Sequence, residues 1–217
     1  MGAPRQALAT AVTISGLALA GAGAGLWWQG AWAQQQAAKA WKQRASLPPR
    51  PVTPPASGPG EDKPKRKARK RAAEPLRPDE VLARLWFPRM NQERFLLAGA
   101  TDRNLDRGPA WLDETEPPGG PGNCIIAGHR DTHFRFLKDA KLGDEIHIDR
   151  GSEVHRYRVR QTFIVDKRDV RLLAPMDRAV LTLVTCYPFY WVGPAPKRFI
   201  IRADWIPPEQ PASVSAQ

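Results

Sequence analysis

Between residues 80 and 206 the chain is cut into short apolar runs by clusters of Gly, Pro and Asp, and that rhythm leaves few folds open. The runs are "VLARLWFPRM", "ERFLLAGAT", "GNCIIAGH", "DEIHID", "HRYRVRQTFIV", "AVLTLVTC" and "RFIIRADW". They are rich in Val, Ile, Thr and aromatics, which suit a pleated, half-buried surface. In "EIHID" and "YRVRQTFIV" polar and apolar residues alternate, the period-two mark of a strand with one buried face. "EPPGGPGN", "KLGDE" and "DRGSE" supply the turns between runs. No amphipathic helical pattern in this part lasts more than about two turns, apart from a short piece at "HFRFLKDA". Seven or more short strands in this space predict an all-β barrel or sandwich. There is no internal repeat.

The chain upstream has a different character. Residues 6–33 contain no charge. The apolar stretch from Ala7 to Trp28 is long enough to cross a hydrocarbon core of roughly 30 Å at about 1.5 Å per residue. Trp27, Trp28 and Trp32 close it, as interfacial aromatics do. An uncleaved anchor fits its length; a cleaved signal peptide fits "AWA" at 31–33. Arg5 precedes the span while Lys39, Lys42 and Arg44 follow it. Counting positive charges alone would therefore place the C-terminal side in the cytoplasm. "LPPRPVTPPASGPG" is extended linker, and "KPKRKARKR" (63–71) reads as a solvated spacer or an attractor of anionic surfaces. The expected division is an anchor or signal segment over 1–33, a Pro-rich and basic linker over 34–78, a folded domain over 79–208 and a disordered tail over 209–217.

Charge narrows the function. Of the 33 Lys and Arg, 13 lie in residues 1–79, beside four of the 22 Asp and Glu, so this third carries +9 of the net +11. A nucleic-acid-binding fold would carry that excess on the fold itself, so no specific nucleic acid is expected as a partner. Two cysteines are too few for a disulfide scaffold.

Three residues sit at strand edges where chemistry could converge. His129 ends "NCIIAGH", Cys186 ends "AVLTLVTC" and Arg198 begins "RFIIRA". If those strands are neighbours, a thiol, an imidazole and a guanidinium share one rim, a workable acyl-transfer site. Arg130 and Arg202 compete with Arg198 for its role. Cys124 precedes His129 by five residues, which on a strand puts it on the opposite face and about 16 Å from the rim, so it reads as core and not as a disulfide partner of Cys186. Asp131 could orient the imidazole, contact substrate or cap a turn. His133 lacks the helix and third ligand of a metal site, so no metal and no cofactor is expected. His147 and His155 alternate with apolar residues and are expected to be exposed. In "YPFYWVGPAPK" (187–197), Tyr187, Phe189, Tyr190 and Trp191 either wall a groove beside Cys186 or pack on the edge of the barrel.

"TLVTC" (182–186), "IAGHRDTHFRFL" (127–138) and Arg198 in "APKRFIIRA" together resemble the sortases, cysteine transpeptidases of bacterial surfaces, and in wording most closely those of Gram-negative proteobacteria. The resemblance covers roughly residues 82–204. It implies an eight-stranded β-barrel, an N-terminal membrane tether with the enzyme outside the cytoplasmic membrane, and an exported protein with an LPxTG-like sorting signal as substrate. It further implies Cys186 as nucleophile, His129 as acid and base, Arg198 as the substrate-orienting or oxyanion residue, and Thr185 as a substrate and oxyanion contact; from their positions, Asp131, Tyr187 and Phe189 are expected to bind substrate as well. The amine acceptor is unspecified. No acidic cluster matches the calcium site of some relatives. A thiol hydrolase and a non-catalytic anchored β-domain remain as alternatives.

Overall fold

A computed structural model of the chain describes residues 28–43 and 80–208. The apolar stretch over 7–27, the basic run 63–71 and the tail 209–217 lie outside the described residues. Among the described residues no helix is long and apolar enough to cross a membrane.

Eight strands form a closed barrel: β1 (Val81–Phe87), β2 (Gln92–Ala98), β3 (Ala110–Trp111), β4 (Asn123–Ala127), β5 (Glu145–Asp149), β6 (Val154–Asp166), β7 (Val180–Tyr187) and β8 (Lys197–Ile206). Their order around the barrel is β1-β2-β3-β4-β7-β8-β6-β5, closed by pairing of β1 with β5. The β2–β3 and β4–β7 pairs are parallel, and the other pairs are antiparallel. Alternation in the sequence sets the interior. Ala83, Leu85 and Phe87, Ile146 and Ile148, Tyr157 and Val159, Leu181 and Leu183, and Ile201 and Ala203 all point into one core cluster. Cys124 belongs to the same cluster, as expected, and both cysteines are free thiols.

The expected short helical piece is a 3-10 turn, Arg135–Asp139. A six-residue helix not foreseen from the pattern, α2 (Asp102–Arg107), lies between β2 and β3, with the Thr101 hydroxyl accepting from the Asn104 amide at its N-terminus. β3, only two residues long, was also not foreseen.

The expected linker start at residue 34 does not hold. Residues 28–43 are helical (α1), and Ala33, Ala37 and Trp41 are buried. Ala37 and Trp41 pack on Phe95 of β2. The Gln34 side chain accepts from the Phe95 amide (2.8 Å) and donates to the carbonyls of Phe95 (3.2 Å) and Arg107 (3.0 Å). Apart from Trp41, the buried stripe is made of Gly30, Ala33 and Ala37. Such residues let a helix approach closely but leave no large apolar periodicity to read. Trp28 and Trp32 remain exposed on α1. His147 and His155, expected at the surface, are half-buried: each imidazole lies against a carboxylate on its own strand or turn, Glu145 and Glu153 respectively.

Candidate active site

The wall formed by β4, β7 and β8 carries the candidate chemistry on its outer face. Odd-numbered residues of β7 (Leu181, Leu183) enter the core, so Thr182, Val184 and Cys186 point outward. In β8 the core residues Ile201 and Ala203 leave Arg198 and Ile200 outward. In β4 Cys124 and Ile126 leave Ile125 and Ala127 outward. The register aligns these outward rows. Ala127 lies opposite Val184, and Val184 opposite Ile200; Cys186 lies opposite Arg198, and Arg198 opposite Val165 of β6. Directly paired residues share a face with Cβ atoms about 4.5–5.5 Å apart. Cys186 and Arg198 thus share one end of the wall, above Val184, Ile200 and Phe163, and His129 follows the end of β4 by two residues, in a turn tied to β7 through Gly128.

Several contacts fix the turn that carries His129. The Gly128 amide donates to the Val184 carbonyl (3.1 Å), and the Thr185 hydroxyl donates to the Gly128 carbonyl (2.7 Å). A Cβ at Gly128 would meet the Phe134 ring at 2.7 Å, so only glycine lets this ring close under the turn. The Phe134 amide donates to the His129 carbonyl (2.9 Å), and Arg94 of β2 donates to the His133 carbonyl (3.0 Å). Thr185 was expected to help bind substrate and oxyanion; its side chain turns inward, where it is buried and occupied with Gly128.

The two arginine rivals are employed elsewhere. Arg202 donates to the Leu172 carbonyl (2.9 Å) and stacks over Phe163, one row below the floor. Arg130 is buried and donates to the carbonyls of Trp191 (2.7 Å) and Gly193 (3.1 Å), clamping the β7–β8 loop to the His129 turn. Arg198 is half-exposed, its guanidinium resting on the carbonyls of Lys197 (3.0 Å) and Ala195 (3.4 Å). The Cys186 thiol is half-buried.

The aromatic segment divides between the two expected possibilities. Phe189 is buried in the core cluster and packs edge-on to Phe199 (5.3 Å) and Tyr187 (6.0 Å), so it serves the barrel edge and not an open groove. Tyr187 is half-buried beside them. Tyr190 and Trp191 are exposed, with Arg135 over the Tyr190 ring. Asp131 is exposed, and the carboxylate that reaches His129 is a different one: Asp106 of α2, 3.4 Å from His129 Nε2. No spacing rule connects α2 to His129, because the two meet through a loop. Lower on the wall, the Asn123 amide donates to the Ala174 carbonyl (3.0 Å) and accepts from the Thr182 hydroxyl (2.6 Å). The β6–β7 loop therefore roofs the lower outer face and leaves the Cys186 end open. Among the described residues no group of side chains could hold a metal ion.

A closed eight-stranded barrel with a thiol and a guanidinium in register on one outer wall, and an imidazole in the turn after the neighbouring strand, defines a β-barrel class with a candidate cysteine site. The Sortase domain family model matches residues 85–206, more than half the chain, and the chain belongs to the sortase family. It is 34% identical over 118 residues to Sortase D of Bacillus subtilis, covering 54% of this chain and 60% of that protein. It is 25% identical over 131 residues to Sortase A of Bacillus anthracis, covering 58% of this chain and 60% of the relative. Among solved structures, Sortase A from Corynebacterium diphtheriae superposes with a TM-score of 0.56 at 30% identity, over 60% of this chain and 63% of that one. The chain spans about 60% of the length of these curated relatives. All three relatives come from Gram-positive bacteria, so the expected proteobacterial subtype finds no support among them.

Proposed function

We propose that this protein is a membrane-tethered cysteine transpeptidase. It cleaves an LPxTG-like C-terminal sorting signal of an exported protein and transfers that protein to an amine. The observation that carries this reading is the pairing of Cys186 with Arg198 across β7 and β8, with His129 on the parallel extension of β4. Likeness to the solved Sortase D5 transpeptidase of Clostridium perfringens, at 26% identity and a TM-score of 0.54, supports the reaction class.

In the proposed sequence the Cys186 thiolate attacks the carbonyl carbon of the signal's Thr–Gly bond. Arg198 and backbone amides receive the developing oxyanion. The C–N bond breaks, and the Gly amine departs with a proton from His129, leaving a thioester on Cys186. An incoming amine attacks the thioester, His129 takes its proton, and the thiolate is released. The exchange of one amide for another needs no ATP. Thr185 serves it by holding Gly128, and so His129, in place. In this reading Asp131, Tyr190 and Trp191, all exposed, are contacts for the bound peptide.

The stretch over 7–28 is the tether in this reading, with the barrel on the outer side of the cytoplasmic membrane. Cleavage after Ala33 would sever α1 where it is buried on the barrel, which favours an anchor over a removed signal peptide. The proteobacterial subtype rests on the wording of the two motif segments. A reporter fused to the C-terminus tests the topology; a cytoplasmic signal would refute it. Intact-mass spectrometry of the full chain mixed with LPxTG-like peptides tests the chemistry. A peptide adduct that Cys186→Ala lacks, and that resolves to ligated peptide when amine is added, is the expected result. An adduct that only hydrolyses points to a thiol hydrolase. A Cys186 that takes up no peptide and resists small thiol reagents points to a binding domain.

A further inference from the structure

Asp106 stands apart from the residues used so far. It comes from α2, a helix of one and a half turns between β2 and β3, yet its carboxylate lies 3.4 Å from His129 Nε2. We propose that Asp106 is a positioning residue for His129, and that α1 and His133 hold it there from behind. This inference rests on His129 acting as the acid and base of the proposed transpeptidase.

The support behind Asp106 is built from buried groups. His133 is buried, and its Nε2 lies 3.1 Å from the Asp106 carbonyl. A carbonyl oxygen only accepts, so that nitrogen carries a proton. Burial pushes the His133 imidazole below its ordinary range, which keeps the ring neutral at physiological pH. The next carbonyl, Arg107, receives the Gln34 amide at 3.0 Å from α1. Gly30 of α1 closes the back of the site: a Cβ there would stand 3.1 Å from the Asp106 carbonyl oxygen and 3.2 Å from the His133 ring. Inside α2, the buried Asn104 amide donates to the carbonyls of Ala98 (2.7 Å) and Gly99 (3.0 Å). The Asp106 backbone is therefore held on two sides while its carboxylate stays solvated.

A solvated carboxylate contributes little to stability, so the contact has a different use. An imidazole that must give a proton to a leaving amine and later take one back needs a fixed ring plane. A carboxylate on one nitrogen supplies that, as a third group does for the base in other nucleophile–base pairs. The charged and titratable groups around His129 are Asp106 from α2, Arg130, Asp131 and His133 on its own segment, Cys186 on β7 and Arg198 on β8. Of these, Asp106 is the carboxylate in contact with the ring.

The experiment uses the full chain in detergent with 15N-labelled histidine, comparing wild type with Asp106→Asn, Asp106→Glu and Gln34→Ala. The ring 15N signals of His129, assigned by a His129→Gln sample, are expected to move in Asp106→Asn and to return toward wild type in Asp106→Glu. Those of His147 and His155, on β5 and β6, stay in place. Gln34→Ala moves the His129 signals in the same direction by less. The pH profile of Cys186 alkylation by iodoacetamide changes in the same variants. With a sorting-signal peptide, Asp106→Asn lowers kcat by about 10- to 100-fold with KM unchanged. Unchanged His129 ring signals and an unchanged alkylation profile in Asp106→Asn would overturn the proposal. A silent Gln34→Ala would overturn the part assigned to α1. If the wild type turns over no peptide, the transpeptidase reading fails, and the ring signals still decide the role of Asp106.

Discussion

The wall of β4, β7 and β8 presents two faces that differ in almost every property, although they are built from alternate residues of the same strands. The inner face holds Cys124, Ile126, Leu181, Leu183, Ile201 and Ala203, all nearly inaccessible. The outer face holds Ala127, Val184, Cys186 and Arg198, half-buried toward one end, with Ile200 buried among them. Each face carries one of the protein's two thiols. Burial, first, pushes the Cys124 thiol far above its ordinary range, with the Glu116 carboxylate adding to the shift. Such a thiol is inert. Cys186 stands on the other face beside Arg198. The face each one occupies therefore separates a packing cysteine from the one proposed as nucleophile.

That separation can be broken from either side. The largest effect is expected from Cys186→Ala, which abolishes the peptide adduct and lowers turnover on the order of 10⁴-fold or more, as removal of a covalent nucleophile does. Differential scanning calorimetry of the same variant should find stability within about 0.5 kcal/mol of wild type. His129→Ala comes next, with a loss of about 10²–10⁴-fold in kcat, and Arg198→Ala with about 10²–10³-fold. Steady-state kinetics on a sorting-signal peptide measures both. A wild-type rate in either variant would move the chemistry off this face.

On the inner face the expected loss is stability. Leu183→Ala should cost about 2–5 kcal/mol in urea unfolding, as large-to-small changes in a closed core do. Its neighbour Val184→Ala, turned outward, should cost about 1 kcal/mol or less and weaken peptide binding. Equal costs at the two positions would mean that the two faces are not distinct.

A further effect is in alkali. A thiol whose folded pKa is raised keeps its proton after the unfolded chain has lost it. The stability it contributes is complete below the unfolded value of about 8.5 and is lost as pH rises above it. Unfolding free energy should then fall by up to about 1.4 kcal/mol per pH unit above that point, and Cys124→Ala should remove this slope. Burial likewise raises the Tyr157 hydroxyl to about 12, so a second decline belongs to pH 10–12 and survives in Cys124→Ala.

The barrel was legible in the sequence wherever one face of a strand is wet. β5 and the first half of β6 alternate openly, and their turns are marked by Gly and Asp. β4 and β7 are buried on both faces, because the β6–β7 loop covers part of the outer one, and they read as apolar runs. Cys186, His129 and Arg198 stood out because each ends or begins such a run. Asp106 was not legible. It lies on a six-residue helix, and its contact with His129 depends on how two loops meet. Docking of α1 was equally hidden, since Gly30, Ala33 and Ala37 work by being small. Thr185 and Phe189 were legible as neighbours of the site, but their facing was not, because it depends on which parity of β7 and its loop turns toward the core.

The parallel pairing of β4 with β7 joins residues 57 positions apart, as the Thr185–Gly128 contact shows. Contacts of such long range are reached slowly, after more local ones have reduced the entropy of closing the intervening chain. The β5–β6 hairpin lies within that intervening chain and can form first. Imidazole and thiol therefore come together as one of the last events of folding. In the proposed transpeptidase, Cys186 then has no imidazole near it until β4 and β7 have paired, so the proposed chemistry waits on a complete barrel.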